Sequence, residues 1–331
     1  MREAKIESAA RDAIREGFAP AIVRVVGPTV EGDLTTPAVV TAARSMDADS
    51  PLLLGGVSKL LAGAAVLAAV ERGFLSLDAP IMPLVPQEIR DSLLTHPGLD
   101  DLTVRQALGH RTGFADAYSE GRRPLGRRLA DDDFGFTLDE LAHWTAAIRP
   151  HRAKTARRAD INFLLLGAAL ERAVDAGYEE SLRELVLDPL DMGDTHLLRE
   201  DEPVPAISSR SMVLYRPKFV RSAGAAGGVI STAADMDRFL RGYFGGELVS
   251  GEYLDSLPAP VRLDPTVEGL RAGAGTLSRG SGKRAVIGGL GDAGAFAFWN
   301  PATETSIVGS LGELGAEEPA MKLVRHILRH L

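Results

Sequence analysis

Hydrophobic and polar positions recur with two different periods, and these divide the chain. Residues 21–27 and 38–42 are rich in β-branched side chains and end in turn residues, which predicts two strands. Residues 58–72 follow the helical pattern and stop at Gly73, while residues 3–17 read as an earlier helix. From about residue 77 to 258 the pattern predicts helices and long loops. The helical pieces include 171–176, 180–187 and 234–244, the last with an N-cap at Ser231 or Thr232. Strands return at 285–287, 295–299 and 305–308. Residues 317–331 close the chain as an amphipathic helix with basic residues in its final turns, which suits the helix dipole. Neighbouring strands late in the chain predict an antiparallel sheet. Strands at both ends of a helical middle predict one α/β (α+β) lobe from residues 1–75 and 265–331. A mainly helical lobe of 76–264 would be inserted in it, in one continuous two-lobed unit.

Length and composition narrow the function classes. The chain has 331 residues, 45% hydrophobic and 25% charged, a globular balance that excludes wholesale disorder. Cysteine is absent, which removes disulfides, thiolate metal sites and a cysteine nucleophile together. The net charge of -8 gives no global basic field for nucleic acid. The longest apolar stretch, 60–70, is too short to span a bilayer. No basic segment followed by an apolar run opens the chain, so a soluble cytoplasmic protein without a membrane partner is expected. The seven histidines form no H-E-x-x-H and no close carboxylate cluster. Neither a metal nor a cofactor is expected.

Five segments, in order, resemble the serine β-lactamase and penicillin-binding-protein superfamily on its class C, esterase and D-peptidase side. They are Leu54-Gly55-Gly56-Val57-Ser58-Lys59 with the helix after it, Leu102 to Gly113, Ala159 to Gly167 with Asp188 to Thr195, Ala226 to Asp235, and Ile287-Gly288-Gly289-Leu290-Gly291. The resemblance implies a β-lactamase/transpeptidase-like fold with a site in the cleft between the lobes. It also implies an S-x-x-K motif at a helix N-terminus, where the lysine one turn on can reach the serine hydroxyl. Here that motif reads Gly56-Val57-Ser58-Lys59: the lysine is present and the serine is glycine. The tyrosine of the second motif falls on Arg158 and its last polar position on Asp160. Arginine does not lose a proton at working pH and cannot replace that tyrosine as a base. The third motif falls on Gly289-Leu290-Gly291, without its usual cation.

The resemblance therefore points to a cleft that has lost serine acyl transfer. Backbone donors survive side-chain loss, and the N–H groups of Gly56 and Asp292 would form the oxyanion hole. Lys59, Asp160 and Asp292 are the candidate catalytic groups; Gly56, Arg158, Gly289 and Gly291 are the candidate binding positions. Each has a plainer alternative. A Lys59–Asp160 ion pair can be structural, Asp292 can cap a turn, and the basic run His151 to Arg158 can be a solvated loop rather than an anion site. Ser58 lies roughly 200° round the helix from position 56 and is expected to face away from the cleft. Ser278 and Ser281 sit in a Gly-rich stretch and read as turn residues. His110 is expected to be architectural. The expected ligand is a small, possibly anionic molecule acted on without covalent attachment by a cyclase, isomerase, lyase or water-mediated hydrolase. The alternatives are a binding or scaffold pseudoenzyme and a residual hydrolase using Ser58. The oligomeric state is left open.

Overall fold

The computed structural model describes residues 6–8, 10–12, 21–31, 34–152, 156–205, 207–209, 212–264 and 267–331, with backbone alone over 29–31 and 34–38. Its main layer is an eight-stranded antiparallel sheet. In chain order its strands are β1 (Ala21–Glu31), β2 (Leu34–Arg44), β8 (Val261–Arg262), β9 (Arg271–Ala272), β10 (Leu277–Arg279), β11 (Val286–Leu290), β12 (Ala295–Asn300) and β13 (Thr305–Ser310). The spatial order is β2-β1-β13-β12-β11-β10-β9-β8, so the two ends of the chain meet where β1 pairs with β13. The short strands β3 (Leu52–Leu53), β4 (His196–Leu197) and β7 (Val229–Ser231) form a second sheet, and β5 (Ile207–Ser209) with β6 (Met212–Leu214) forms a hairpin.

Period-2 alternation sorts the main sheet into two faces. Phe296 and Phe298 point to an outer core with Ile307, Met321, Val324 and Ile327. Ala295 and Ala297 point the other way, into the larger core. The small residues of this inner face let helix α1 (Ser58–Glu71) lie close on the sheet. Twelve of its fourteen residues are buried, which is why its sequence is apolar almost all round. A Schellman motif ends it: Gly73 is left-handed (φ 81°), and the N–H of Phe74 donates to Ala69 while that of Gly73 donates to Val70.

The helical layer over α1 includes α2 (Leu125–Asp131), α3 (Leu138–Ala146), α4 (Ile161–Val174), α5 (Pro217–Gly227) and α6 (Ala233–Gly245). The last helix, α7 (Glu317–Ile327), covers the outer face of the sheet. Thr232 is the N-cap of α6, its hydroxyl accepting from the N–H of Asp235.

Several sequence expectations are corrected. Of residues 171–176, 171–174 are the last turn of α4, which stops where Asp175 turns left-handed (φ 58°). Residues 180–187 divide into the end of a short helix (Tyr178–Leu182) and a π-helical turn (Arg183–Leu187). Ser278 lies in β10, not in a turn. The final helix ends at Ile327 rather than 331. Of the first expected helix, Ile6–Ser8 and Ala10–Asp12 are helical and the rest lies outside the described residues. Among the described residues no helix is long and apolar enough to cross a membrane.

Candidate functional site

The N-terminus of α1 opens into the cleft through a 3-10 turn, Gly55–Val57. Within that turn Val57 donates to Leu54, and Ser58 to Gly55 and Gly56. The N–H of Gly56 is not one of those donors. Gly55 is left-handed (φ 49°), and a Cβ added there would lie 3.3 Å from Asp292 Oδ1.

Lys59 is buried at 7% exposure. Its Nζ lies 2.8 Å from Asp160 Oδ1 and donates to the carbonyl of Ala226 at 2.7 Å. That carbonyl is aimed by a break in α5 at Gly224 (φ 39°, ψ -123°). Lys59 thus acts as a donor in both contacts. Asp160 begins α4, and its carboxyl stays below its ordinary range: burial opposes ionisation, but Lys59 and then Arg158 outweigh it.

Arg158 points into the cleft rather than to bulk solvent. A Cβ added to Gly56 would lie 2.9 Å from Arg158 Nη2, 3.1 Å from the carbonyl of Leu290 and 3.2 Å from Gly291 Cα. A side chain at position 56 would press on the far end of Arg158 and on the backbone of Leu290 and Gly291. The guanidinium stands 3.8 Å from Asp292 Oδ1 and 3.7 Å from Glu317 Oε1, and makes no hydrogen bond among the described residues. Burial works against its charge, yet Asp292, Asp160, Glu317 and Asp116 raise its pKa further.

His110 holds this segment in place. Its carbonyl accepts from Arg157, and its Nδ1 contacts the N–H of Ala159 (3.4 Å) and the amide of Asn162 (3.2 Å). Burial first, then the charges of Lys59 and Arg158, depress its pKa to about 3, so the ring is neutral. Of the basic run before Arg158, residues 153–155 lie outside the described residues.

The cleft has two compartments that share Tyr118, Asp160 and Asp292. One is an apolar cavity of about 60 Å³ lined by Leu53, Leu129, Leu214, Phe219, Val220 and Ala223, with Gly56 and Lys59 at its polar end. The other is wider, about 510 Å³, and lined by Asp116, Arg158, Glu268, Glu317 and Glu318.

Lys59, Asp160, Arg158, Gly56 and Asp292 therefore converge, whereas Gly291 lines neither compartment. Gly291 backs directly onto the 3-10 turn, with a Cβ there 2.7 Å from the carbonyl of Leu54. Gly289 does not line either compartment; it packs under α1, against Val57 and Leu60. Ser58 is fully buried, and its Oγ accepts from the N–H of Val229 on the far side of the helix. Tyr118, Asp116 and Glu317 are cleft residues that no sequence spacing announced. Burial, then Asp292 and Asp160, push the Tyr118 hydroxyl up; burial and Asp160 raise Asp116 to about 6; burial raises Glu317 against the pull of Arg158. Among the described residues no group of three or more His, Asp or Glu is placed to hold a metal ion.

This architecture matches known proteins. Over 99% of its length the chain superposes on the D-amino acid amidase from Ochrobactrum anthropi SV3, covering 98% of that chain, with a TM-score of 0.80 at 18% identity. Esterase EstB from Burkholderia gladioli is 32% identical over 159 residues, 46% of this chain and 40% of EstB. Protein Rv1367c from Mycobacterium tuberculosis is 26% identical over 256 residues, 68% of this chain and 61% of that protein. The chain thus matches less than two thirds of the length of either relative. The family model described as Beta-lactamase matches residues 22–325, and the chain belongs to the beta-lactamase family.

Proposed function

We propose that this member of the family has given up serine acyl transfer and uses its cleft to bind and act on a small molecule without covalent attachment. The observation that supports this reading is at position 56, where the resemblance leads one to expect a serine: a Cβ on the glycine there would lie 2.9 Å from Arg158 Nη2. The rest of the acyl-transfer apparatus is altered to match. Lys59 donates to Asp160 and Ala226, and Arg158, which stands where the resemblance puts the tyrosine, accepts no proton. Ser58 is turned away and hydrogen-bonded, which argues against the residual-hydrolase alternative.

The charge balance favours a different ligand from the anion suggested by Arg158 alone. Asp292, Glu317 and Asp160 outnumber Arg158 and Lys59, and a further anion would meet them. A neutral carbonyl satisfies the free donors of Arg158 without adding negative charge, and an attached ammonium suits Asp292 and Glu317. The amidase from O. anthropi has been solved with L-phenylalanine amide, a molecule with this set of groups and an apolar body.

Intact-mass spectrometry after incubation with a fluorophosphonate and with a penicillin tests the loss of acyl transfer. No adduct is expected on the native chain or on Gly56→Ser, because Arg158 crowds that position. Gly56→Ser with Arg158→Tyr returns both groups and is expected to be phosphonylated. A stoichiometric adduct on the native chain overturns the reading. In thermal unfolding, phenylalanine amide is expected to raise Tm and 3-phenylpropanoate is not; the reverse order sinks the charge argument. Turnover of a bound amide would favour the enzyme over the binding pseudoenzyme.

A further inference from the structure

A second concavity opens beside the cleft, between α2 with its preceding loop and the C-terminal end of α3. Leu125, Trp144 and Ile148 form its apolar floor. Arg122, Arg123, Arg127 and Arg128 form its rim, all of them exposed. The wall is anchored by the backbone: Leu125 donates to Ala117 at 3.0 Å and Gly126 to Tyr118 at 2.9 Å.

The charges on this rim are not spent internally. Arg128 lies over the Phe134 ring at 3.8 Å and 3.9 Å from Asp132. Among the described residues Arg122, Arg123 and Arg127 have no ion pair or side-chain hydrogen bond. Of the two carboxylates in the lining, Glu120 is engaged by His151 at 2.7 Å, which leaves Asp131. Three free guanidinium groups around an apolar floor are a local inversion in a chain of net charge -8.

We infer that this groove docks an acidic peptide segment of a partner protein, its carboxylates on the arginine rim and an apolar side chain on the floor. Guanidinium forks match carboxylates in two-point contact, and an indole beside arginines is the composition of an interface anchor. At about 1220 Å³ the groove exceeds the ~300–1000 Å³ usual for a small-molecule site, which suits an extended segment. Nucleic acid fits less well. The whole-chain charge repels a long polyanion, and the floor offers one aromatic ring rather than a stacking platform.

The chain has two tryptophans, Trp144 and Trp299, so Trp299→Phe leaves Trp144 as the sole indole reporter. The 331-residue Trp299→Phe chain would be titrated with an acetylated, amidated (Glu-Glu-Leu)₃ peptide. A saturable change in Trp144 emission is expected, weakened at least tenfold by Arg123→Glu with Arg127→Glu. Arg284→Glu, an exposed arginine elsewhere, is expected to leave it within twofold. No response, an equal response to (Gln-Gln-Leu)₃, or insensitivity to the rim variants overturns the inference. Tighter binding of poly(U) than of the peptide assigns the groove to nucleic acid instead and also overturns it.

Discussion

His110 sits at positive φ (53°) beneath the segment that carries Arg158 and Asp160. Its pKa is about 3 in the fold against an ordinary 6.5. Above pH 6.5 the ring is neutral in both states, and its contribution to stability is complete. As pH falls from 6.5 towards 3, the unfolded chain takes up a proton that the folded chain refuses. Stability then declines, by up to about 5 kcal/mol from this group. Asp116 works in the opposite direction. Its pKa is about 6 in the fold against 3.8, so between those values the folded chain keeps a proton that the unfolded chain has released. Stability therefore rises as pH falls through that window, by up to about 3 kcal/mol. His110→Asn keeps an acceptor in the place of Nδ1 and a residue that tolerates positive φ. Urea midpoints at pH 7.5 and 4.5 are expected to show a smaller acid loss for His110→Asn than for the native chain, and a larger one for Asp116→Asn. Identical acid losses in all three proteins would remove both assignments. The Lys59–Asp160 pair was legible in the sequence because both residues belong to aligned motifs. Asp116, Tyr118 and Glu317 were not, because a loop and the last helix reach the cleft only through tertiary packing.

Among the elements, α1 carries the most constraint. Its long apolar run and its stop at Gly73 both read directly from the sequence, because each is a local signal. The strands β8, β9 and β10 did not, since two or three residues cannot establish a period. The chain between β9 and β10 nonetheless approaches α1 closely at one point. A Cβ on Gly63 would lie 2.7 Å from the Cα of Gly275, and Gly275 donates to the carbonyl of Leu108 while holding φ 75°. Neither backbone can swing aside as a long side chain would. In an open helix Gly→Ala stabilises by about 1 kcal/mol. Here forced separation opposes that gain, and overpacking of this kind costs about 1–3 kcal/mol. Gly63→Ala is expected to lower the urea midpoint. A higher midpoint would mean that α1 is not closely packed at this point.

At the scale of the whole molecule, the two ends of the chain meet in the main sheet. The flanking positions of the strands predict one antiparallel sheet built from both ends of the chain, and the strands form it. The expected grouping of residues 1–75 with the α/β lobe left out where the centre of α1 would pack. Its buried residues, from Leu60 to Ala69, share one continuous core with helices α4 and α6 and with Ala295, Ala297 and Val308 of the sheet. Sequence periodicity marks which residues are buried, not which layer buries them. This shared core has a thermodynamic consequence. A chain of 331 residues is long enough to split into separately melting domains, as chains beyond about 250–300 residues commonly do. Here unfolding the helical layer strips α1 of cover and exposes the inner face of the sheet, so neither layer retains its core alone. Calorimetry is expected to show a single transition whose calorimetric and van't Hoff enthalpies agree. Two resolved peaks, or a van't Hoff enthalpy well below the calorimetric one, would show that the layers fold as separate units. The cleft would then be a junction between domains, and ligand binding there would act by holding them together.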